Sequence, residues 1–427
     1  MTIQLVAPEQ ALKKPAQSAV AAALDVGMSK TVCLVAPVRA MAQPTLDLVG
    51  AGMQGSAGGD FDACARAIRI AVDEAERSAG TPIQETAVSY SGPGLASRII
   101  QGRARVRGPE IGVRDVQSAL AAGLQAAPSP GQCALHVVPL FYSVDGGAPV
   151  VDPRGLKGAD LFVEACLVTA PAEAIEALRA CVRAAILAPK EIVAAPYAAA
   201  LAVTTEEERA DGVLVLDLGA GGAGIACLSP EGLVLAEQIP IGGARLTKAL
   251  AKKIGATFAA AERAKMLYGV VGGAFDPREA LEAPRVGKDG RLEANLVQRG
   301  DFCDALGPRF QEILMTARAR VADARLAPHR VPKRAVLTGG GALIGGAREV
   351  GAEALGMPVR IGRPIGVMEE ASRAGPAFAA ASGLLRWRLE QPADAAESCA
   401  YEPGVREIGA AACAAASRAW SWLKENF

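Results

Sequence analysis

The spacing of apolar residues predicts helices that alternate with short buried strands. Between Phe61 and Arg77, apolar residues recur every three or four positions, which is the period of an amphipathic helix. Asp60 before this segment and Gly80 after it are suited to begin and end a helix. Continuous apolar runs predict strands at Val20–Leu24, Thr31–Val38 and Thr86–Tyr90. The pattern therefore predicts an α/β protein.

The pattern of the first strands repeats later in the chain. The first strand ends at Asp25-Val26-Gly27 and a second strand follows, which places an aspartate at the tip of a predicted β-hairpin. A very apolar strand, Gly212–Leu216, likewise ends at Asp217-Leu218-Gly219. Two more strands follow it, at Gly224–Leu228 and Leu233–Ile239. A duplicated α/β unit is the simplest explanation.

The segments between and after the two units differ from them in their pattern of apolar and polar residues. Residues 95–170 combine short β-like runs with one helical stretch, Val113–Leu124, and this predicts an inserted subdomain. A last strand is predicted at Ala335–Leu337; it runs into Thr338-Gly339-Gly340-Gly341 and is followed by a helix at Ala347–Leu355. The polar stretch after Trp387 has the composition of a linker.

Composition narrows the class of protein. Of the 427 residues, 51% are hydrophobic and 21% are charged, enough to bury a large core. The net charge of +0 argues against a general nucleic-acid binder. The most apolar stretch, Ile192–Val203, is shorter than the ~20 residues of a membrane-spanning helix. The nine cysteines include no Cys-x-x-Cys pair, which favours reduced core residues over a metal site. Without a signal-peptide pattern near Ala19–Leu24, a cytoplasmic protein is expected.

The glycines after Asp217 admit two interpretations. Gly219 to Gly224 fit the dinucleotide pattern G-x-G-x-x-G, but that fingerprint requires a helix directly after the glycines, and here a strand is predicted. Glycines in a hairpin tip instead let backbone N–H groups approach an anion. Two such hairpins could hold the phosphates of a nucleotide, with Asp25 and Asp217 holding Mg²⁺ through water. Tight turns alone are the alternative for either loop taken singly.

Three motifs carry a resemblance to a known family. They resemble the two phosphate loops and the adenosine loop of the actin/Hsp70/sugar-kinase superfamily: Asp25-Val26-Gly27-Met28-Ser29-Lys30, Asp217-Leu218-Gly219-Ala220-Gly221-Gly222 and Leu337-Thr338-Gly339-Gly340-Gly341-Ala342. Within this superfamily the chain is similar to the FtsA family of bacterial cell-division proteins, from about Ala22 to Leu389 and again at the C-terminus. Further matches are Ser91-Gly92, His136-Val137-Val138-Pro139, Glu206-Glu207-Glu208-Arg209 and Val359-Arg360-Ile361-Gly362-Arg363-Pro364.

The resemblance implies that ATP binds between two lobes of an actin-like α/β fold. The residues implied to face the phosphates are Asp25, Gly27, Ser29, Lys30, Asp217, Gly219, Gly221 and Gly222. Those implied to lie near the ribose and adenine are Glu262, Lys265, Gly339, Gly340 and Gly341. Glu262 and Lys265 are spaced i, i+3, so an exposed helical ion pair is the alternative interpretation of these two.

The second phosphate loop departs from the family pattern. Relatives usually have a hydroxyl residue where this chain has Gly222, and an acidic residue where it has Gly224. The first change removes a possible phosphate hydrogen bond, and the second removes a charge that could position Mg²⁺ or water. We therefore expect at most slow ATP hydrolysis, and no catalytic base can be named.

The C-terminal segment has the pattern of a membrane-binding amphipathic helix. On a helix, Ala416, Ala419, Trp420, Leu423 and Phe427 fall on one face, and Ser417, Arg418, Ser421, Lys424 and Glu425 on the other. With Trp422 as a second tryptophan, this composition suits the headgroup boundary of a bilayer. An ordinary helix docked on the protein is the alternative. So short a helix binds weakly, and oligomerisation would multiply its effect.

These patterns and the resemblance give one division of the chain and one predicted function. The expected parts are an N-terminal tail (1–18), a first lobe (19–92, 171–204 and 364–389), an insert (93–170), a second lobe (205–241 and 311–363) with an outer subdomain (242–310), a linker (390–404) and the amphipathic helix (405–427).

The resemblance implies an ATP-binding protein that polymerises and anchors the tubulin-like division protein FtsZ to the inner face of the cytoplasmic membrane. Its implied partners are FtsZ, further copies of itself, membrane lipids and other division proteins, and no nucleic acid. A small-molecule kinase and a scaffold of the pilus-assembly kind are the alternatives on the same fold.

Overall fold

A computed structural model describes residues 20–38, 46–56, 60–126, 130–287, 292–367 and 375–390. Its strands are Val20–Val26 (β1), Lys30–Pro37 (β2), Gly50–Gly55 (β3), Glu85–Tyr90 (β4), Ala96–Arg105 (β5), Gln132–Val144 (β6), Asp160–Pro171 (β7), Ala188–Ala194 (β8), Val213–Leu218 (β9), Ala223–Ser229 (β10), Gly232–Ile239 (β11), Ala280–Glu282 (β12), Arg285–Val286 (β13), Leu292–Glu293 (β14), Leu296–Gln298 (β15), Arg334–Thr338 (β16) and Val359–Ile361 (β17). Its α-helices are Phe61–Ala79 (α1), Val113–Gln125 (α2), Ala172–Ala184 (α3), Ala195–Val203 (α4), Glu206–Asp211 (α5), Gly243–Ile254 (α6), Phe258–Tyr268 (α7), Arg299–Asp323 (α8), Ala347–Leu355 (α9) and Ala379–Glu390 (α10).

Two five-stranded sheets have the same strand order. The sheet of the first lobe runs β3-β2-β1-β4-β8, and that of the second lobe runs β11-β10-β9-β16-β17. In each, the first three strands form an antiparallel meander and the last two pair in parallel. The duplication predicted from the two aspartate hairpins is therefore confirmed. The prediction that Ala335–Leu337 is the last strand is wrong, because β17 follows it and pairs beside it. Only three residues long, β17 gives a weak periodic signal.

Local signals place the first long helix as predicted. The Asp60 side chain accepts a hydrogen bond from the Asp62 N–H, and α1 ends at Gly80 in the left-handed conformation (φ 65°). Glycine adopts this conformation without steric cost, which makes it a natural helix stop. The buried face of α1 packs on β2 and β3. The apolar spacing of the sequence therefore identified the face of α1 that enters the core.

The insert is a separate small layer. Its three strands form an antiparallel sheet in the order β5-β7-β6, and α2 covers one face. Ile100, Leu161 and Val163 belong to a core of its own. The predicted insert of short strands around one helix is confirmed. The sequence analysis missed β5, because exposed arginines interrupt its apolar residues.

A buried arginine joins the insert to the second lobe. Arg330 follows α8 and is only 6% exposed; its Nη1 donates to Glu164 Oε1 on β7 at 2.7 Å. Its Nε donates to Glu231, in the turn between β10 and β11. The guanidinium also lies 6.0 Å from the ring of Phe141 on β6. One cation therefore neutralises two carboxylates from different parts of the chain.

Helices α4 and α10 pack against each other with almost no space between their backbones at one point. A Cβ added to Gly383 of α10 would lie 1.7 Å from the carbonyl oxygen of Ala198 in α4. Contacts of α4 reach β9, β10 and β11 of the second sheet, and contacts of α10 reach β1, β2 and β4 of the first. Only glycine allows this approach, so this pair of helices ties the two sheets together.

Candidate functional site

The first hairpin is closed by its own backbone and fastened to β3. The Gly27 N–H donates to the Lys30 carbonyl at 3.0 Å. Ser56, just after β3, donates its hydroxyl to the Gly27 carbonyl at 2.8 Å and its N–H to the Ser29 carbonyl at 3.0 Å. An added Cβ on Gly27 would lie 2.9 Å from the Lys30 carbonyl oxygen, so the turn requires glycine. The tip that carries Ser29 is exposed and held in a defined position.

The second hairpin lies on the N-terminus of α6. The Gly219 N–H donates to the Gly222 carbonyl at 3.0 Å and closes the loop. The carbonyls of Gly219 and Ala220 accept from the first N–H groups of α6, those of Gly243 and Ala244, each at 2.9 Å. Helix N-termini leave such donors without intrahelical partners. The loop therefore satisfies the helix end, and the helix fixes the loop.

The third glycine loop meets the second hairpin through strand pairing. β16 lies parallel to β9, with Thr338 opposite Asp217. Gly339 has a φ of 79°, and an added Cβ would lie 2.4 Å from Asp217 Oδ1. An added Cβ on Gly341 would meet Leu218 at 2.9 Å, whereas an added Cβ on Gly340 would meet no other part of the protein within 4 Å. Of the three predicted glycines, Gly339 therefore borders Asp217, Gly341 borders Leu218, and the Cβ position of Gly340 faces open space.

Three charged side chains converge between the two hairpins. Asp25, at the end of β1, accepts a hydrogen bond from the Ser89 hydroxyl on β4. Lys30 Nζ lies 3.8 Å from the centre of the Phe378 ring, and the lysine interacts electrostatically with both Asp25 and Asp217. The structure therefore brings the two predicted aspartates and Lys30 to one place, although they lie on different sheets.

Burial is the main cause of the pKa shifts of these three groups. Burial raises the pKa of Asp25, although Ser89 and Lys30 oppose the shift. Burial and the Asp25 carboxylate together raise the pKa of Asp217 to about 7. Burial also lowers the pKa of Lys30. Two carboxylates with raised pKa values beside one lysine favour the binding of a cation, since a cation restores their charged forms.

Glu262 and Lys265 form the expected i, i+3 ion pair on α7, but it is not an exposed one. Lys265 is 9% exposed, and its Nζ donates to Glu262 Oε2 at 2.7 Å, to Thr247 Oγ1 at 2.8 Å and to the Gly243 carbonyl at 3.2 Å. An ammonium has three donors, so Lys265 is fully engaged. It fastens α7 to the start of α6, behind Gly219. The contact of these two residues with a ribose stays a prediction.

Steric contacts explain the two glycines that depart from the family pattern. An added Cβ on Gly222 would lie 2.4 Å from the Ile239 carbonyl oxygen. On Gly224 it would lie 2.6 Å from the ring of Pro196, at the start of α4. Neither a hydroxyl nor an acidic side chain fits this backbone. Pro196 is close to Gly224 only in the folded chain, so the sequence pattern could not give this reason.

Ser89 and Phe378 were missed by the sequence analysis. Ser89 is a polar residue within the predicted apolar strand Thr86–Tyr90, and β4 pairs beside β1, so a serine in a buried strand was a usable signal. Phe378 lies in the short helix Pro376–Phe378, and no local pattern relates it to Lys30.

Several predicted features lie outside the described residues or were searched only within them. The membrane-binding candidates Ala416, Ala419, Trp420, Trp422, Leu423 and Phe427, and the N-terminal tail 1–18, lie outside. Within the described ranges, none of the helices combines the length and the apolar character that a bilayer-spanning segment needs. Over the same residues, no group of three or more His, Cys, Asp or Glu side chains is placed to hold a metal ion.

Comparisons with known proteins agree with this architecture. Residues 214–383 match the family described as Cell division protein FtsA, and residues 92–169 match the SHS2 domain inserted in FtsA. The chain is 32% identical over 432 residues to the Cell division protein FtsA of Agrobacterium fabrum, covering 96% of each chain. It is 25% identical over 418 residues to that of Escherichia coli strain K12, covering 95% of this chain and 97% of the relative.

Solved structures show the same fold at low identity. The PilM-PilN type IV pilus biogenesis complex matches with a TM-score of 0.61 and 20% identity over 87% of this chain and 99% of the other. MreB5 of Spiroplasma citri bound to ADP matches with a TM-score of 0.52 and 13% identity over 87% and 97%.

The class is therefore an actin-like, two-lobed α/β protein with an inserted subdomain. The identity to curated relatives over nearly the whole chain is more specific than the fold. The chain belongs to the FtsA family of cell-division proteins.

Proposed function

We propose that this chain binds ATP with Mg²⁺ between its lobes, assembles into filaments and holds FtsZ at the inner face of the cytoplasmic membrane during division. The observation that carries the proposal is the meeting of three glycine loops around Asp25, Lys30 and Asp217 in a chain of the FtsA family. Backbone N–H groups at such loops can approach phosphates closely.

The chemistry of the site suits a nucleotide with a divalent cation. Lys30, which interacts electrostatically with both aspartates, supplies a positive charge for a phosphate, and the two hairpin tips offer backbone N–H groups to it. The carboxylates of Asp25 and Asp217 are hard oxygen donors, the ligand type that Mg²⁺ prefers, and either could act through a bound water. Bound Mg²⁺ would neutralise phosphate charge. The free space at the Cβ position of Gly340 leaves room for the nucleoside end of the ligand.

Membrane attachment in this proposal depends on residues 405–427. A single short amphipathic helix binds a bilayer weakly, and a filament that presents many copies binds firmly because the effective concentration rises. ATP would favour assembly if it binds the closed arrangement of the lobes better than the open one. Slow ATP turnover is sufficient for this role.

The first experiment is co-sedimentation with anionic liposomes, with and without Mg·ATP. We expect the full-length protein to pellet with liposomes, and a chain truncated after Glu402 to stay in the supernatant. The double variant Trp420→Glu, Leu423→Glu should lose at least about tenfold in lipid binding, because it places two charges on the apolar face. Ser421→Glu, on the opposite face, is the matched control and should pellet almost as the wild type does.

The outcomes of this experiment test membrane anchoring and nucleotide gating separately. A full-length protein that never pellets with lipid would remove the anchoring role and leave a scaffold of the pilus-assembly kind as the better function. Filament formation on lipid that is equal with and without Mg·ATP would remove the nucleotide gate and leave the anchor.

Nucleotide affinity should depend on pH through Asp217. Its pKa of about 7 means that most molecules carry a protonated Asp217 at pH 6 and an ionised one at pH 8. Because Mg²⁺ needs the carboxylate, we expect the affinity for Mg·ATP to rise about tenfold over this range and then level off. Isothermal titration calorimetry at half-unit intervals measures this. A flat profile would contradict it.

The raised pKa of Asp217 also predicts how the stability of the protein depends on pH. A carboxyl group with a raised pKa favours the protonated folded state, so it lowers the stability of the nucleotide-free protein as the pH rises from about 4 to 7. The melting temperature of nucleotide-free wild type should therefore fall more steeply over this range than that of Asp217→Asn.

A further inference from the structure

One row of residues crosses the second sheet at the candidate site. Asp217 on β9 lies opposite Gly224 on β10, and Gly224 lies opposite Gln238 on β11. Directly opposed residues of neighbouring antiparallel strands point to the same face of a sheet. The side chains of Asp217 and Gln238 therefore share the face that packs towards α4, with a glycine between them.

The Gln238 carboxamide occupies the space that the two glycines leave open. Its Nε2 lies 2.5 Å from the position of an added Cβ on Gly222, and its Oε1 lies 3.3 Å from the position of an added Cβ on Gly224. The side chain therefore leans from β11 across β10 towards the loop 219–222. Its amide group lies where the side chain of a hydroxyl or an acidic residue at either glycine would start.

The carboxamide has hydrogen-bonding capacity to spare. The Gln238 backbone N–H donates to the Leu95 carbonyl at 3.1 Å and holds the residue in place, but within the described residues the side-chain amide makes no hydrogen bond. A carboxamide carries two N–H donors and one oxygen acceptor. The half-buried Gln238 side chain thus presents a donor towards Gly222 and an acceptor towards Gly224.

We infer that Gln238 contacts the bound Mg·nucleotide in place of the side chains missing at Gly222 and Gly224. Its Nε2 donates to a phosphate oxygen at the second glycine loop, and its Oε1 accepts from a water molecule on the cation. The inference rests on the proposed nucleotide site and assigns one more residue to it. A neutral amide provides both contacts from β11, where Pro196 and the Ile239 carbonyl leave no room for them on β10.

The test compares nucleotide affinities of purified full-length variants by calorimetry. Gln238→Met keeps the length of the side chain and removes its polar atoms, so we expect the Kd for Mg·ATP to rise about 5- to 30-fold, the usual effect of losing one or two hydrogen bonds to a charged ligand. Gln238→Glu keeps the length and the acceptor. It should weaken Mg-free ATP more than Mg·ATP, because its charge repels phosphate and attracts the cation.

Controls separate this inference from the proposed function. Gln101→Met alters an exposed strand glutamine on the insert and should leave the Kd unchanged. If Gln238→Met binds as the wild type does while Asp217→Ala fails to bind, the inference is wrong and the proposed function stands. If wild type binds no nucleotide, the proposed function is wrong and the role of Gln238 with it. Equal effects of Gln238→Glu with and without Mg²⁺ would remove the contact to the cation.

Discussion

Replacing Asp217 by asparagine should abolish the Mg²⁺ dependence of ATP binding and also make the nucleotide-free protein more stable. The Asp217 carboxylate is half-buried near the Asp25 carboxylate, and its raised pKa shows that ionisation is costly there. Asparagine removes the repulsion between the two carboxylates but cannot supply a charged ligand to Mg²⁺. We expect the Kd measured with Mg²⁺ to rise about 100-fold, on the order of 3 kcal/mol, and the melting temperature to rise by about 1–3 °C.

Calorimetry with and without Mg²⁺ and thermal unfolding measure the two effects. Asp323→Asn, an exposed aspartate on α8, is the matched control and should change neither by much. A substitution that weakens binding but raises stability is typical at a residue kept for binding. A destabilised Asp217→Asn protein would instead mean that the carboxylate makes a structural contact, and the charge argument would fail.

Replacing Arg330 by methionine should produce the largest loss of stability. Its removal leaves Glu164 and Glu231 without their shared cation, and the Glu164 side chain is only 13% exposed. Breaking a buried ion pair from one side costs about 3–5 kcal/mol, because a charge stays buried without a partner. Denaturant unfolding should therefore show a free energy of unfolding lower by about 3 kcal/mol.

Two further variants identify the cause of that loss. Arg348→Met breaks an exposed pair with Glu349 and should cost less than about 1 kcal/mol. Adding Glu164→Gln and Glu231→Gln to Arg330→Met should recover part of the loss, since the stranded charges are then gone. No recovery would mean that the packing of the guanidinium on Phe141 contributes most of the stability.

Much of the fold could be predicted because its signals are local. The caps of α1, the two Asp-x-Gly hairpins and the strand after Gly219 to Gly224 all depend on neighbours within a few residues, and the structure has each of them. The rejection of a dinucleotide-binding helix was correct for the same reason. Short or partly exposed strands such as β5 and β17 lack this local signal, and they were missed.

The candidate site could be predicted only in part because its contacts join distant segments. Glycines and aspartates marked the three loops, yet Ser89, Phe378 and Gln238 reach the site only through the pairing of strands. Gly222 and Gly224 looked like lost functions in the sequence. In the structure they are positions where Ile239 and Pro196 approach too closely for any side chain.

The close packing of α4 and α10 has a mechanical consequence. The described chain ends with α10, and residues 391–427 continue from Glu390. A tensile load on that continuation would enter the described chain at Glu390 and reach α4 through α10, at the point where Gly383 and Ala198 lie backbone to backbone. Because α10 contacts the first sheet and α4 contacts the second, the load would spread into both sheets.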